Sequence, residues 1–367
     1  MLNDKTIAVV VPCYNEEKQI GMVIETMPDF VDKIVIVNDK SKDNTEEVIK
    51  TYIKSEFNYK SELIENSNHI TKNIFNRAEV VLAEYEKSEI AFFTESEVAN
   101  KSNNDRIILI NHLQNGGVGA AIATGYKWAK DNNIDCTAVM AGDGQMDPDE
   151  LLSICSPVVY DNIDYVKGNR LIHRSALLVI PKVRYLGNSV LSILTKIASG
   201  YWHVSDTQTG YTAISKRGLK SIRLHDIYKR YGMPNDMLVK LNIAMCTLKE
   251  VEIKPVYNVG EQSKMKISKV IPTISMLLLR SFFKRLYFKY LFRDFHPLFL
   301  LYHLAFFLTL FALPIGIDLL YSWLVDGVSI SDQKLLVFSF LVITAFQSML
   351  FAMWMDIQDN ERLYKSD

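Results

Sequence analysis

The sequence has few of the residues that metal-binding and disulfide-rich proteins require. Its 367 residues include four cysteines and seven histidines. The cysteines, at 13, 136, 155 and 246, are too widely spaced for a metal-type pair, so reduced and buried thiols are expected, as suits the cytoplasm. The histidines are isolated, and His173, His203 and His225 are expected in surface or hydrogen-bonded roles rather than as zinc ligands.

An excess of charge of one sign is also lacking. The net charge of −1 gives no indication of nucleic-acid binding. Residues 1–5 lead directly into a strand-like run, without the basic region and long apolar region of a signal peptide. The charge balance hides an asymmetry, because basic residues concentrate in the C-terminal third.

Short apolar runs alternate with helical patterns in the N-terminal part. Strands are predicted at residues 6–12, 33–38, 107–110 and 137–140, and helices start near residues 15, 46 and 115. This alternation predicts an α/β fold with a Rossmann-like, mostly parallel sheet and helices on both faces. A surface insertion is predicted at about 55–105, with an amphipathic helix over 77–85 in a structural or oligomer-contact role.

Two apolar runs dominate the C-terminal third, at residues 297–317 and 335–355. Each has about the 20 residues that cross a bilayer as a helix, and two in succession make buried core helices the weaker explanation. From residue 262 to 293 there are no acids, and basic residues alternate with aromatic and aliphatic ones. This pattern is typical of amphipathic helices on an anionic membrane surface.

These features predict four regions. They are a catalytic domain at 1–260, amphipathic juxtamembrane helices at 261–295, a two-helix transmembrane hairpin at 296–356, and a cytoplasmic tail at 357–367. The basic flank before the first span predicts an integral membrane protein whose catalytic domain faces the cytoplasmic side of the plasma membrane. The hairpins could also self-associate into a homo-oligomer.

An acidic turn follows the fourth predicted strand. The apolar run ends at Gly142, and Asp143, Gln145 and Asp147 follow before Pro148. A carboxylate at a strand end is costly to bury unless it holds a cation or a proton, and hard oxygen ligands suit Mg²⁺ or Mn²⁺ shared with a diphosphate. The alternative is a solvated turn in which Asp147 and Pro148 start the next helix.

Polar groups also follow the other strands. Tyr14 can pack on a nucleobase or complete the core, and Asp39 can bind a base or ribose or cap a helix. The turn at Gly117 can direct backbone N–H groups at a phosphate, although a simple glycine turn is the favoured interpretation of that segment alone.

Taken in order, the motifs resemble glycosyltransferase family two, which has the GT-A fold, and within it the polyprenyl- or dolichyl-phosphate hexose synthases. The resemblance covers about residues 5–265 apart from the insertion. The similar segments are 11–16 (V-P-x-Y-N-E), 37–45, 115–125, 142–145 (the metal motif), 165–170, 206–211 and 260–264.

The resemblance implies a role for each matching residue. The nucleotide would be held by Pro12, Tyr14, Asn15, Glu16, Asp39 and Gly117, and the metal and diphosphate by Asp143, Gln145 and Asp147. The acceptor phosphate would be received by Arg170, Arg184, Ser263 and Lys264. Asp206 or Asp236 would serve as a general base or orient the acceptor.

The chain departs from the family pattern at four positions. Ala141 replaces the first carboxylate of the usual D-x-D, and Asn38 and Lys40 replace an aspartate and a glycine. Thr212 stands where dolichyl-phosphate mannose synthases often carry arginine. Activity is therefore expected to depend on Asp143, with Asp147 as the candidate to compensate for Ala141.

The predicted activity is inverting transfer of a hexose from a UDP- or GDP-sugar to undecaprenyl or dolichyl phosphate, with Mg²⁺ or Mn²⁺ as cofactor. Two alternatives stay open. One is a glycosyltransferase with another glycan or lipid-linked acceptor. The other, which Ala141 favours, is a catalytically silent membrane subunit that binds a nucleotide sugar.

Overall fold

An eight-stranded mixed sheet forms the centre of the N-terminal domain. The computed structural model describes residues 1–55, 75–100, 105–256, 267–326 and 331–366. The strands are β1 (Ile7–Cys13), β2 (Lys33–Asn38), β3 (Ser96–Val98), β4 (Ile107–His112), β5 (Cys136–Val139), β6 (Tyr165–Asn169), β7 (Thr212–Ser215) and β8 (Leu248–Glu252). Their order across the sheet is β3-β4-β2-β1-β5-β7-β6-β8.

Most neighbouring strands run parallel. Strands β4, β2, β1 and β5 pair in parallel, as do β6 and β8, whereas β3 and β7 are antiparallel to their neighbours. All residues of β1 and β2 are buried, which matches their nearly continuous runs of valine and isoleucine, because helices cover both faces. The predicted mostly parallel α/β sheet is therefore confirmed.

Twelve α-helices surround or follow the sheet in the described residues. They are α1 (Ile20–Glu25), α2 (Thr45–Lys54), α3 (Arg77–Ser88), α4 (Val118–Asp131), α5 (Leu151–Tyr160), α6 (Ala176–Val179), α7 (Lys182–Ser199), α8 (Lys216–Ser221), α9 (Met233–Ile243), α10 (Ile267–Tyr287), α11 (Pro297–Tyr321) and α12 (Asp332–Glu361). Alternate residues of β1 point to opposite faces, so Val10 joins one core and Val9 the other.

Two predicted helices start later than expected. Helix α1 begins at Ile20, because the residues after β1 form a loop in which Asn15 has a φ of 59°. Helix α4 begins at Val118, after Gly117 with a φ of 90°. The insertion contains α3, which has no buried residue, and also β3, an edge strand that the sequence did not predict.

The two C-terminal helices are long and apolar enough to be candidate membrane spans. The spans are Pro297–Leu324 and Asp332–Glu361, and most of each apolar window is exposed. The two helices pack against each other, and the start of α11 packs on the end of α10 through Leu286, Tyr290, Leu298 and Tyr302. In the described part of the juxtamembrane region, residues 267–295, helix α10 is followed by a π-helical turn at Phe288–Arg293.

The residues after the second apolar helix pack on the N-terminal domain. The N–H of Leu248 donates to the carbonyl of Leu363 at 2.7 Å, and the N–H of Lys365 donates to the carbonyl of Leu248 at 2.8 Å. Leu363 is buried in the core on one face of the sheet. This part of the predicted tail therefore covers the outer edge of β8.

Candidate active site

The loops that follow β1 and β2 form one hydrogen-bonded unit. The N–H of Asn15 donates to Ser41 Oγ at 3.0 Å, and Asn15 Oδ1 accepts from the N–H of Lys42 at 2.8 Å. The N–H of Glu16 donates to Thr45 Oγ1 at 2.9 Å. The structure thus brings two of the predicted nucleotide-binding segments together at the carboxyl edge of the sheet, where open α/β sheets bind ligands.

Asp39 lies at the centre of this edge and is almost fully buried. Its Oδ1 accepts from the N–H of Gly116 and lies 2.7 Å from His112 Nδ1, and its Oδ2 accepts from the N–H of Gly117 at 2.7 Å. Burial acts to raise the pKa of Asp39, but these hydrogen bonds, led by the one from His112, hold it below its ordinary value. The N–H of Gly117 therefore binds a carboxylate of the protein rather than pointing at a phosphate.

The glycine turn also lets two backbone segments approach closely. The N–H of Gly119 donates to the carbonyl of Lys229 at 3.0 Å, and a Cβ at position 119 would lie 2.0 Å from the carbonyl oxygen of Tyr228. Only glycine fits there without moving the backbone. The turn thus brings the loop before α9 against the start of α4.

The departure at Asn38 has a local explanation. Asn38 Nδ2 donates to Asn111 Oδ1 at 3.0 Å, and Asn111 Nδ2 donates to Glu46 Oε1 at 2.9 Å. An aspartate at position 38 would place a carboxylate against the Asn111 carbonyl oxygen. Reversing that amide would turn its oxygen toward Glu46, so the network requires an amide at position 38.

The acidic turn lies beside the end of β1. The N–H of Gly142 donates to the carbonyl of Pro12 at 3.3 Å, and the N–H of Gln145 donates to Asp143 Oδ1 at 3.1 Å. Gly144, with a φ of 73°, allows the tight turn. The predicted diphosphate-side residues Asp143 and Gln145 therefore lie next to the β1 segment that carries Pro12.

Asp147 makes two contacts that fix its carboxylate. Its Oδ1 accepts from the N–H of Asp149 at 3.0 Å, as a helix N-cap, and its Oδ2 pairs with Lys254 Nζ at 3.2 Å. Within the described ranges, no group of three or more His, Cys, Asp or Glu side chains could hold a metal. The carboxylate of Asp143 is a hard oxygen ligand that would suit a Mg²⁺-type ion, which proteins commonly hold through one or two carboxylates and substrate phosphates.

Arg170 and Asp206 form a two-pronged ion pair on the other side of the sheet edge. Arg170 Nε donates to Asp206 Oδ2 at 2.8 Å and Nη2 donates to Oδ1 at 3.1 Å. Burial acts to raise the pKa of Asp206, but the charge and hydrogen bonds of Arg170 hold it below its ordinary value. Asp206 is fully buried while Arg170 is 23% exposed, so the carboxylate orients a guanidinium that reaches the surface.

Of the remaining predicted site residues, Asp236 forms hydrogen bonds within the protein, whereas the side chains of the others lie outside the described ones. Asp236 accepts from the N–H of Tyr228 at 2.8 Å and from Lys240 Nζ, so its carboxylate stabilises the start of α9. Arg184 belongs to α7, and its side chain lies outside the described ones. Ser263 and Lys264 lie outside the described residues.

Comparison with known proteins identifies the family. The profile described as "Glycosyl transferase family 2" matches residues 8–73 and 94–223, more than half of the chain. The chain belongs to glycosyltransferase family 2. The matched ranges include Asp39, Asp143, Arg170 and Asp206, and they leave out residues 74–93, which contain α3.

Relatives of this family-2 chain include two proteins named as dolichyl-phosphate sugar transferases. The UDP-N-acetylglucosamine–dolichyl-phosphate N-acetylglucosaminyltransferase of Methanococcus voltae is 31% identical over 255 residues, which are 69% of this chain and 87% of the relative. A dolichyl-phosphate beta-glucosyltransferase of Trichomonas vaginalis is 26% identical over a region that covers 76% of this chain and 74% of the relative. Among solved structures, glucosyl-3-phosphoglycerate synthase of Mycobacterium tuberculosis, with Mn²⁺ and UDP, has a TM-score of 0.45 at 15% identity, covering 77% of this chain and 80% of that one.

Two features of this glycosyltransferase near Arg170 escaped the sequence reasoning, and the first is a pair of buried charged side chains, Lys167 and Glu250. Lys167 on β6 is fully buried, and its Nζ donates to the carbonyl of Thr209. Burial lowers the pKa of Lys167 to about 8. Glu250 accepts from the N–H groups of Ser205 and Asp206 at 2.9 and 3.1 Å, and burial raises its pKa. The lysine that directly follows the apolar residues Tyr165 and Val166 was the available sequence signal for Lys167.

The second feature is an apolar surface that follows Arg170 in the chain. Its large exposed side chains are Ile172, Leu177, Leu178, Leu186, Val190 and Ile193. They extend from the loop after β6 through α6 to the outer side of α7, and α7 packs on α10, the helix that leads into α11. We name these six residues the α6–α7 apolar surface. The helical spacing of its α7 members in the sequence could have revealed it.

Proposed function

We propose that this family-2 glycosyltransferase transfers a hexose from a nucleoside-diphosphate sugar to a polyprenyl phosphate, with inversion at the anomeric carbon. The observation that carries the proposal is the α6–α7 apolar surface directly after Arg170. An exposed apolar patch of this extent marks an interaction site, and an isoprenoid chain has matching chemistry. The positive charge of Arg170, which Asp206 holds in place, would attract the phosphate at the head of that chain.

The geometry around Arg170 and Asp206 favours a reaction that needs little general-base help. A phosphate monoester has a second pKa of about 6, so the acceptor is mostly dianionic at pH 7. Its oxygen attacks the anomeric carbon, the bond to the nucleoside diphosphate breaks, and the product is a polyprenyl-phosphate sugar. The engagement of Asp206 by Arg170 and of Asp236 by Lys240 agrees with positioning roles for both carboxylates.

The donor side would use the loops at the carboxyl edge of the sheet. Tyr14, Asn15 and Glu16 lie beside the loop after β2, and the acidic turn with Asp143 lies beside Pro12. A bound Mg²⁺ or Mn²⁺ ion would neutralise charge on the departing diphosphate. Asp143, with Gln145 beside it, is the group in this chain that would hold the ion.

The relatives and the C-terminal helices support a membrane-bound acceptor. The relatives from Methanococcus voltae and Trichomonas vaginalis carry names of dolichyl-phosphate sugar transferases. The chain enters α11 from α10 and returns from α12 to β8, which fits a hairpin whose two ends share one side of a membrane. The basic residues Lys284, Arg285, Lys289 and Arg293 before α11 favour the cytoplasmic side.

The test is product formation by the purified full chain in liposomes. Undecaprenyl or dolichyl phosphate is supplied with a panel of UDP- and GDP-sugars, and lipid-linked sugar is measured with and without Mn²⁺. Transfer to the lipid from at least one donor supports the proposal. Absence of lipid-linked sugar with every donor overturns it.

A silent subunit that only binds a nucleotide sugar is the second candidate, because Ala141 removes one carboxylate of the usual metal motif. Metal-dependent hydrolysis of the donor by the full chain separates the two. Hydrolysis that disappears in Asp143→Ala contradicts the silent subunit, whereas binding of the donor without turnover supports it.

A further inference from the structure

A buried ion pair joins the juxtamembrane helix to the end of the second apolar helix. Arg285 Nη1 donates to Asp356 Oδ1 at 2.7 Å and Nη2 donates to Oδ2 at 2.8 Å, and both side chains are fully buried. Tyr290 OH donates to Asp356 Oδ1 at 2.8 Å. A buried ion pair is weak evidence for stability, because desolvation offsets its attraction, so its placement calls for another explanation.

The same guanidinium binds the C-terminal end of α7. Arg285 Nε donates to the carbonyl of Ala198 at 3.0 Å, and Nη2 donates to the carbonyl of Ile197 at 3.0 Å. These carbonyls lie in the last turn of the helix, where no intrahelical donor reaches them. A Cβ at Gly200, the residue that ends the helix with a φ of 79°, would lie 2.5 Å from Arg285 Nη1.

Helix α7 in turn supports the loop that carries Asp206, the partner of Arg170. Ser192 Oγ lies 3.1 Å from Thr207 Oγ1, and Thr207 directly follows Asp206, the partner of Arg170. The inner face of α7 also reaches α9, because Thr195 Oγ1 donates to Asn235 Oδ1 at 3.1 Å. Contacts therefore connect Asp356 on α12 to Arg285, Arg285 to the end of α7, and α7 to the loop that carries Asp206.

A second set of contacts ties α12 to α9. Asn242 Nδ2 donates to Asn360 Oδ1 at 2.8 Å. Lys289 Nζ donates to Asn242 Oδ1 at 3.2 Å and pairs with Asp359 Oδ2 at 3.1 Å, so it bridges the two helices. The end of the second candidate span is therefore fixed to both helices, α7 and α9, that support the Arg170 side of the site.

We propose that Arg285 and Asp356 are positioning residues that set the distance between the Arg170 site and the membrane. The inference rests on the proposed function, in which the acceptor is a polyprenyl phosphate. The lipid chain keeps the phosphate of such an acceptor at a fixed depth. The site must therefore sit at a matching height above the span, whereas a soluble acceptor imposes no such requirement. An error of about 1 Å in such placement can cost on the order of 10²-fold in rate.

The experiment compares two acceptors that share the phosphate chemistry. One is a long-chain polyprenyl phosphate in liposomes, and the other is a short-chain, water-soluble isoprenyl phosphate. The variant is the double substitution Arg285→Met with Asp356→Leu, because either change alone leaves an unpaired buried charge. A matched control is Asp318→Leu with Lys334→Met, which removes the exposed 2.7 Å pair between the loop-side ends of α11 and α12.

The expected result is a selective loss. With the long-chain acceptor, kcat/KM of the Arg285/Asp356 variant falls about 10- to 100-fold. Its kcat/KM with the short-chain acceptor and its KM for the donor stay at the wild-type values, and the control variant retains activity with both acceptors. Equal losses with both acceptors, or no loss with either, overturn the positioning role.

A conservative variant covers the case in which the double variant does not fold. Arg285→Lys keeps a positive charge beside Asp356, but an ammonium group cannot replace the two hydrogen bonds to Asp356 together with the two to the α7 carbonyls. We therefore expect a smaller fall in kcat/KM that is again confined to the long-chain acceptor. If Arg285→Lys shows none, the inference fails. A wild-type chain that forms no lipid-linked sugar from any donor overturns the proposed function instead, and this inference with it.

Discussion

His112 Nδ1 lies 2.7 Å from Asp39 Oδ1, and this bond joins the ends of the neighbouring strands β4 and β2. The other ring nitrogen, Nε2, lies 2.9 Å from Thr124 Oγ1 on α4. Both side chains of the pair are almost fully buried. The bond therefore links two strands and a helix directly beneath the loops that are proposed to bind the nucleotide.

Asp39 is expected to make the stability of the protein sensitive to acid. Because its pKa is below the ordinary value in the folded state, its contribution is fully present above the unfolded-state pKa and is lost as pH falls through the folded-state pKa. In Asp39→Asn, the new amide N–H₂ faces a backbone N–H, which costs about 1–3 kcal/mol at neutral pH. Unfolding of both proteins is measured from pH 7 downward.

The difference in unfolding free energy between wild type and Asp39→Asn is expected to shrink on acidification. It shrinks because protonation removes the advantage of the wild-type carboxylate. A constant difference over the whole range contradicts a carboxylate role for Asp39 in the folded state.

The strands were predictable because their signal is local. β2 was predicted with its observed bounds, since a buried strand of continuous valine and isoleucine between polar turns has few alternatives. The partners of the polar residues at the strand ends were not predictable in this way. Asp39 and His112 are 73 positions apart, and their contact depends on the order of β2 and β4 in the sheet.

The candidate site shows the same limit. The sequence analysis predicted Arg170 and Asp206 as separate site residues, but their pairing across 36 positions and the burial of Asp206 arise only from packing. Leu363 and Lys365, which follow α12, hydrogen-bond to the backbone of Leu248, far away in the chain, so no local pattern marked these residues as part of the domain. The sequence analysis assigned them to a cytoplasmic tail.

Asp143 and Asp147 are expected to differ in their effect on metal dependence. Asp143→Ala removes the carboxylate of the acidic turn and is expected to lower metal-activated transfer on the order of 10²-fold. Asp147→Ala removes a helix N-cap and the Lys254 pair, so it costs about 1 kcal/mol of stability while the response to metal persists. Mn²⁺ titrations of donor turnover by both variants make the comparison.

Equal loss of the metal response in the two variants would show that Asp147 takes the place of the carboxylate missing at Ala141. Chelation of the metal in wild type serves as the reference for complete loss.

Two glycines provide a matched test of close backbone approach. Gly119→Ala places a Cβ 2.0 Å from the carbonyl oxygen of Tyr228 and is expected to cost about 1–3 kcal/mol in unfolding free energy. Gly187→Ala, in the exposed part of α7 with nothing within 4 Å, is expected to stabilise by about 0.5–1 kcal/mol. Denaturant unfolding measures the change in unfolding free energy for each variant. A Gly119→Ala variant that unfolds with the wild-type free energy would contradict the close approach of the two backbone segments.

The α6–α7 apolar surface is expected to matter for the lipid acceptor and not for the donor. Leu186→Glu with Ile193→Glu places two charges on the exposed side of α7, where both leucine and isoleucine are more than half exposed in the wild type. Folding is therefore expected to persist. The kcat/KM for a long-chain polyprenyl phosphate in liposomes is expected to fall about tenfold or more, where each tenfold change corresponds to ~1.4 kcal/mol. Tyr160→Glu, at the exposed end of α5, is the control for an added charge elsewhere. Because a charged surface repels an isoprenoid chain but leaves the sheet edge intact, the KM for the nucleotide sugar is expected to stay unchanged. An equal rise in both KM values would place the effect of these side chains on the fold rather than on the acceptor.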